Sequence, residues 1–442
     1  MKIYDSLSKT TRELKLINNQ IRLYCCGPTV YNYIHLGNAR PSFTMDFLVR
    51  FLQWKGVEVN YLQNITDVDD KIIAKALKAQ QSEADLANFY TNAYLEDLSE
   101  LNIQLPTKII KVSTVIEDMV VFIQKLIDQG DAYVVQENVF FDLNRWKTEY
   151  GKLSNRTLDS LAVARIEPEN NLKHHLADFA LWKKTQAGIK WTAPFGTGRP
   201  GWHTECALLN DLYFNHQTLS IHGGGIDLKF PHHENERIQY LAANRIELSE
   251  IWMHNGHLTF NDEKMSKSLN NMILVRDFLK AYHPDVLRWL FLTTSYTQPL
   301  DVNHDLLSQG QKFLDRLNNL TKKAKQLTAF GQLVDESTQE SSAHFLERFG
   351  EFMDDNLNTP LVLSEIEQAI KTINKDLMKQ RLTPDFYELK TILKVLGFQT
   401  SINTKVNQAE KSLFLAWKAA LEKKDYQSAD ALRNQLIAKG LL

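Results

Sequence analysis

From Ile21 to Leu62 the chain reads as strand, turn, helix, strand. Ile21 to Cys26 is a short apolar run, and Gly27-Pro28-Thr29 turns it. A second element opens near His35, with Gly37 and Asn38 at its start. Phe43, Phe47, Leu48 and Leu52 then recur at helical spacing between Ser42 and Trp54. Val57 to Leu62 alternates as a second strand. This order opens a doubly wound α/β domain, in which ligands sit beyond the carboxyl ends of the strands. Cys26, closing the first strand, is therefore placed for chemistry, and Cys25 should face the opposite way.

The rest of the chain fits that start. Residues 71–130 read as mostly helical, ending near Gly130, and Ala132 to Asp142 as a strand pair. The stretch 150–200 carries Pro168, Pro194, Pro200 and several glycines, and reads as irregular, inserted between two halves of the α/β domain. Alpha/beta character returns from Gly201 to about Leu300. Beyond it, Phe313, Leu317, Leu320, Ala324 and Leu327 form an amphipathic stripe, and further helical stretches follow at 343–353, 361–377, 386–396 and 409–438. The prediction is a Rossmann-like doubly wound parallel sheet with an inserted region, followed by a C-terminal helical bundle domain. A length of 442 residues suits two or three domains. No run of about twenty apolar residues predicts a membrane span. Met1 to Asn19 lacks the apolar centre of a secretory signal, so the expectation is a cytoplasmic protein. The net charge of −2 neither indicates nor excludes a nucleic-acid partner.

Three cysteines in such a length argue against a disulfide framework. Cys26 and Cys206, with His232 and Glu236 four residues apart, make a donor set that suits zinc. Each cysteine alone reads equally well as a small buried hydrophobe, and on residue type His35 and His233 compete with His232. His35-Leu36-Gly37-Asn38 stands before a helix, whose free N–H groups attract phosphate; otherwise it is a helix cap. Lys264-Met265-Ser266-Lys267-Ser268 can clamp a triphosphate and hold charge on departing pyrophosphate; otherwise it is a solvated turn. Neither resembles the Walker A loop.

Taken together, these motifs carry a resemblance far more specific than any of them. His35 to Asn38 resembles the first signature of class I aminoacyl-tRNA synthetases, and Lys264 to Ser268 matches the second in full. Cys26-Gly27-Pro28-Thr29-Val30-Tyr31, Asn64 to Lys71, Gly198 to Cys206, His222 to Leu228 and Phe230 to Glu236 resemble the cysteinyl-tRNA synthetases in particular. The likeness runs from about residue 1 to 440.

It implies ATP-dependent activation of L-cysteine to cysteinyl-adenylate and transfer to the terminal adenosine of tRNA-Cys, by a monomer, with Mg2+ accompanying ATP. It implies one zinc per chain, held by Cys26, Cys206, His232 and Glu236, with the substrate thiolate on the metal. His35, Asn38, Lys264 and Lys267 would act in catalysis. ATP would rest on His35, Gly37, Asn38, Gly223, Gly224, Gly225, Lys264 and Lys267. Thr66, Trp202, His222 and Asp227 would line the cysteine pocket. By the same resemblance, residues 1–304 form the catalytic domain, with a connective region at about 115–200. Residues 305–400 form a tRNA-binding bundle, and 401–442 a short anticodon-recognition region.

The sequence departs from the family at Ser113-Thr114-Val115, where a histidine is usual, and at Ser295-Tyr296-Thr297, which lacks a common His-Tyr-Arg. Both bear on local ATP or tRNA contacts. From 401 to 442 seven basic residues face four acidic ones, an excess of three suited to phosphate contacts. Phe414, Trp417 and Tyr426 are candidates for stacking on a base, against the simpler reading that they face the core. Two other functions compete. One is a ligase joining cysteine to an amino-sugar, against which the long helical C-terminus argues. The other is a zinc scaffold for RNA, which has no need of both signatures.

Overall fold

The computed structural model describes residues 1–157, 171–261, 263–264, 272–338 and 344–442. They divide into two compact units, residues 1–280 with 296–301, and residues 281–295 with 302–442.

The first unit begins with a hairpin, β1 (Lys2–Asp5) and β2 (Thr10–Glu13). Then come β3 (Gln20–Cys25), α1 (Leu36–Trp54), β4 (Glu58–Ile65), α2 (Asp70–Ala79), α3 (Glu83–Glu100), β5 (Lys108–Lys111) and α4 (Ile116–Asp128). An antiparallel set follows: β6 (Ala132–Val135), β7 (Asn138–Phe141), β8 (Phe179–Lys184), β9 (Trp191–Ala193) and β10 (Gly196–Pro200). The unit continues through α5 (Trp202–Tyr213), β11 (Leu219–Gly225), α6 (Glu234–Asn244), β12 (Ser249–Asn255), β13 (Leu258–Phe260), β14 (Glu263–Lys264) and α7 (Val275–Ala281).

The main sheet is parallel, in the order β12-β11-β3-β4-β5. The first strand is central and the chain winds outward from it in both directions, so the expected doubly wound sheet is present. The switch point lies between β3 and β11, where Cys25 pairs with Gly223. A crevice at the carboxyl ends of these two strands is where such sheets bind ligands. Burial on both faces explains the apolar character of β3, where Ile21, Leu23, Tyr24 and Cys25 are all within 1% of full burial.

Two expectations needed correction. Residues 71–130 are not helical throughout: Lys108–Lys111 forms the edge strand β5, paired with β4 from Leu62 to Ile65. Four residues with lysines at both ends read as one helical turn, and only the neighbouring strand decides otherwise. Of the stretch 150–200, residues 158–170, with Pro168, lie outside the described residues, and 179–200 is not irregular. Its strands β8, β9 and β10 join β6 and β7 in a five-stranded antiparallel sheet, inserted between β5 and β11 of the main sheet. Strands of three to six residues among prolines and glycines carry too little alternation to show in sequence. One continuous core joins the two sheets through Tyr24, Leu62, Phe141, Trp182, Cys206 and Trp252.

The second unit is helical: α8 (Pro284–Leu292), α9 (His304–Ala329), α10 (Phe345–Asp354), α11 (Thr359–Met378), α12 (Pro384–Val395), α13 (Gln408–Glu422) and α14 (Tyr426–Ala438). The stripe Phe313, Leu317, Leu320, Ala324 and Leu327 on α9 is buried throughout. Gly310 on the same helix lets α8 approach, since a Cβ there would meet Trp289 at 2.9 Å and Val286 at 3.0 Å. The last two helices close a small separate cluster in which Phe414, Leu436 and Leu441 pack with Ala329, and Trp417 leans on its edge. Tyr426, at the start of α14, is 65% exposed.

Candidate active site and metal centre

Four elements converge at the switch point. Cys26 follows β3, Cys206 sits on α5, His232 lies in the turn before α6, and Glu236 is in its first turn. Phe230 is extended (φ −142, ψ 132), so the chain breaks there before it coils into α6. That break presents His232 one turn ahead of Glu236 on the same face. Donor atoms of Cys26, Cys206, His232 and Glu236 all lie within 4.8 Å of one another. Cys26 Sγ is 3.8 Å from Cys206 Sγ and 3.5 Å from Glu236 Oε1. Cys206 Sγ is 3.5 Å from His232 Nε2, which is 2.7 Å from Glu236 Oε1.

These residues are buried, Cys26 least. Burial works against charge on all of them, yet the neighbours override it in part. Burial would lower His232, but the Glu236 carboxylate and the Cys206 sulfur push it up to about 10. Burial would raise Glu236, but His232 and His222 hold it well below the usual carboxylate range. Burial raises the Cys26 thiol, as do its contacts with Cys206 and the Glu236 carboxylate. Cys206 is lowered against its own burial by the hydrogen bond from Cys26 and by His232. The cluster thus keeps protons on His232 and Cys26, both of which a divalent cation would displace.

A second layer surrounds the four. His203 Nδ1 is 3.0 Å from His232 Nδ1, which turns the other imidazole nitrogen, Nε2, inward. His222, fully buried, places Nε2 2.7 Å from Glu236 Oε2 and stacks on Trp252. His233 Nε2 is 3.4 Å from Cys26 Sγ, and its Nδ1 is 2.8 Å from His254 Nε2. Trp202, at the start of α5 and 36% exposed, stacks on His232 with ring centres 4.3 Å apart. Thr66, buried at the end of β4, donates from Oγ1 to Glu205 at 2.6 Å and accepts from Asn64 at 3.1 Å. Asn64 in turn accepts from the Gly27 N–H at 2.7 Å and from the Tyr24 hydroxyl at 3.0 Å, tying the turn after β3 to the neighbouring strand. Asn64, Glu205, His203 and His254 were not singled out by sequence reading. Asn64, Glu205 and His203 stand inside the quoted motifs, whereas His254 lies on β12 with no motif around it.

The glycines of β11 make room for protein atoms. A Cβ on Gly224 would fall 2.7 Å from the His233 ring, and one on Gly223 2.7 Å from Met45. Asp227 is exposed, in the short turn after β11.

His35 caps α1, accepting from the Asn38 N–H at 3.3 Å while the Asn38 side chain accepts from the His35 N–H at 3.3 Å. The helix begins at Leu36, earlier than its apolar spacing indicates, because this reciprocal cap starts it. The segment 273–275 returns to this turn: Leu36 N–H donates to Ile273 O and Val275 N–H to Ile34 O, both at 3.0 Å. The chain after the second signature is thereby stitched to the first. Lys264 pairs through its backbone with Thr259, while Lys267 lies outside the described residues. Of the departures from the family, Val115 is a core residue of the first unit, and Ser113 donates to Asp67 from both N–H and hydroxyl.

Residues 13–312 match a family profile described as the class I tRNA synthetase (C) catalytic domain. The chain is 52% identical over its whole length, and the whole length of the relative, to a cysteine–tRNA ligase of Mycoplasma mycoides. It is 36% identical to that of Staphylococcus carnosus, covering 100% of this chain and 97% of the relative. Among solved structures, Mycobacterium tuberculosis methionyl-tRNA synthetase in complex with methionyl-adenylate shares the fold, with a TM-score of 0.63 over 91% of each chain at 15% identity. With a cluster of potential metal donors at the switch point, a capped first-signature turn stitched to the segment after the second, and full-length similarity of this degree, the chain belongs to the cysteine–tRNA ligases of the class I synthetase family.

Proposed function

We propose that this chain activates L-cysteine with ATP and transfers it to the terminal adenosine of tRNA-Cys, with a zinc ion held by Cys26, Cys206, His232 and Glu236. The observation that carries the metal reading is the size of the donor cluster. A zinc–sulfur bond of about 2.3 Å sets two tetrahedral sulfur ligands about 3.8 Å apart, and a sulfur and a nitrogen about 3.5 Å apart. The sulfurs here stand at 3.8 Å, and Cys206 Sγ to His232 Nε2 at 3.5 Å. The shorter 2.7 Å contact of His232 with Glu236 is the hydrogen bond that an ion would replace.

Zinc at this position supplies a soft Lewis acid to which a thiolate binds and a hydroxyl, with its far higher pKa, does not. Selection against serine then needs no editing step, which an apolar pocket alone could not avoid. The chain's own residues do the rest. Trp202, stacked on His232, walls one side and sheds water. Thr66 and His222, both buried, and the exposed Asp227 would line the cysteine pocket, the last suited to the substrate ammonium. The start of α1 offers the Gly37 N–H to phosphate, the Leu36 and Asn38 N–H groups being held by Ile273 and His35. Gly223 to Gly225 close the β11 side of the nucleotide pocket. Lys264 and Lys267 stabilise charge as pyrophosphate leaves, and Mg2+ accompanies ATP. The carboxylate of cysteine attacks the α-phosphate, and a ribose hydroxyl of the tRNA then attacks the adenylate carbonyl. No protein nucleophile is needed, since positioning and charge do the work.

Residues 305–400 and 401–442 carry tRNA recognition, the last helices with their basic excess and exposed Tyr426 facing the anticodon. The protein works as a cytoplasmic monomer. Cysteine-dependent exchange of labelled pyrophosphate into ATP, together with metal analysis, tests the proposal. One zinc per chain and exchange with cysteine are expected. Replacing Cys26 with serine should release the metal and remove discrimination against serine; full zinc in that variant would refute the assignment.

A further inference from the structure

The metal pocket holds more donors than one ion uses. Cys26, His222, His233 and Glu236 form a second quartet, with donor atoms again within 4.8 Å of one another. It shares Cys26 and Glu236 with the first, and replaces Cys206 and His232 by two imidazoles. We propose that this quartet is a second metal position, adjoining the first, that keeps a divalent transition-metal ion in the pocket when Cys206 or His232 is lost.

The proposal rests on the metal reading above, and three features of the geometry support it. Cys26 Sγ lies 3.4 Å from His233 Nε2, as close as Cys206 lies to His232, and near the edge of about 3.5 Å that tetrahedral sulfur and nitrogen ligands require. The two carboxylate oxygens of Glu236 are divided, Oε1 toward Cys26 and His232, Oε2 toward His222. One glutamate can thus serve either position without turning. Behind His233, His254 Nε2 stands 2.8 Å from Nδ1. A proton on that Nδ1 leaves a lone pair on Nε2, aimed at Cys26, which is the second-layer arrangement that metal-binding histidines use. Among the described residues His222 and His254 each leave their Nδ1 without a hydrogen-bond partner although fully enclosed. Such enclosed imidazoles cost stability if they serve only packing.

Chemically, the second position has one thiolate where the first has two. It favours the same borderline metals, with harder character. Holding the ion and selecting a thiol become separable properties of the pocket.

The test uses the full-length chain loaded with cobalt(II) alone, read by metal content and by the thiolate-to-cobalt charge-transfer band. Wild type and His233→Ala should each take one equivalent, with the band of two thiolates. Cys206→Ala should still take one equivalent, more weakly, with about half the band. Cys206→Ala/His233→Ala should bind weaker again, by roughly tenfold or more. Circular dichroism on each metal-free variant checks that it is folded. If wild type binds and folded Cys206→Ala does not, the second position is wrong while the zinc reading stands. Equal binding by Cys206→Ala and the double variant also overturns it. Failure of wild type to bind overturns the zinc reading itself.

Discussion

At the scale of single residues, the site divides into positions legible from sequence and positions legible only from contact. Cys26, Cys206, His232 and Glu236 could be named because soft ligands are rare in this chain and the motifs around them are dense. The choice between His232 and His233 could not be made on residue type, and the reason is visible: both rings present Nε2 to a cysteine sulfur at nearly the same distance. His254 was invisible, because a single histidine on a buried strand has no local pattern. Cys25, adjacent to Cys26, is a core residue whose thiol burial pushes up to about 12, which leaves it inert at neutral pH. Lys267 is the residue for which a rate effect is most specific. A lysine near the α-phosphate strengthens its contact as charge develops, so Lys267→Ala should slow cysteine activation roughly 10²-fold or more. Cysteine binding should change little. Pre-steady-state adenylate formation against equilibrium cysteine binding separates the two; matched losses in both would mean the loop shapes the pocket.

At the scale of elements, helices with long apolar stripes were plain, and short strands were not. β5 and β8 owe their state to partners far away in sequence, and β9 and β10, a hairpin of three and five residues, are too short for a local period to mark them. Helix α1 extends earlier than its apolar spacing because a polar cap, not packing, sets its start. Helix α7 is held by a polar contact of another kind. Arg276 stacks over Tyr33 with 4.7 Å to the ring centre, donates to Glu96 at 2.7 Å and to the Ala93 carbonyl at 3.1 Å, and places Nε 2.8 Å from Asp97. It joins the segment after the second signature to α3 and to the approach to His35. The Asp97 contact is close but off-axis, so it gives charge attraction without an aligned hydrogen bond. Burial raises Asp97 to about 6, against the opposing pull of Arg276. An unfolded aspartate titrates near about 3.9. Between these values the folded state binds the extra proton, so this group's contribution to stability is fullest at about pH 4 and is lost as pH rises through 6. Asp97→Asn should therefore gain on wild type between pH 4 and pH 7 in urea unfolding. A difference between the two proteins that stays level over that range would contradict the shift.

At the scale of the whole molecule, the helical C-terminus can be tested without removing it. Deleting 401–442 would strip Phe414, Leu436 and Leu441 from Ala329 and bare an apolar patch on α9, confusing folding with recognition. Phe414 is fully buried and Trp417 packs on the same cluster, so of the three aromatic candidates only Tyr426 is free to meet a base. Lys423 and Lys424 precede it at the turn between α13 and α14. Tyr426→Ala with Lys423→Ser and Lys424→Ser should leave cysteine-dependent pyrophosphate exchange intact. Charging of tRNA-Cys should fall, with phosphate contacts weakening steeply as salt rises. Unchanged charging, measured at 50 and at 200 mM salt, would move recognition to the helices between 305 and 396.

The clustered donors Cys26, Cys206, His232 and Glu236 are dispersed from residue 26 to residue 236, on separate elements that meet only once the inserted antiparallel sheet has been accommodated. No fragment short of Glu236 contains the pocket, and a nascent chain gains it only when α6 has emerged. Metal affinity is then a gauge of assembly: an ion that binds the finished unit and not the open chain deepens the folded well by RT ln(1 + [L]/Kd), about 2.7 kcal/mol at a hundredfold excess over Kd. Chelation should lower the melting temperature of the first unit while leaving the helical unit's transition in place. A chain that misplaces the insertion should be recognisable, before any assay of its chemistry, as one that has failed to retain its ion.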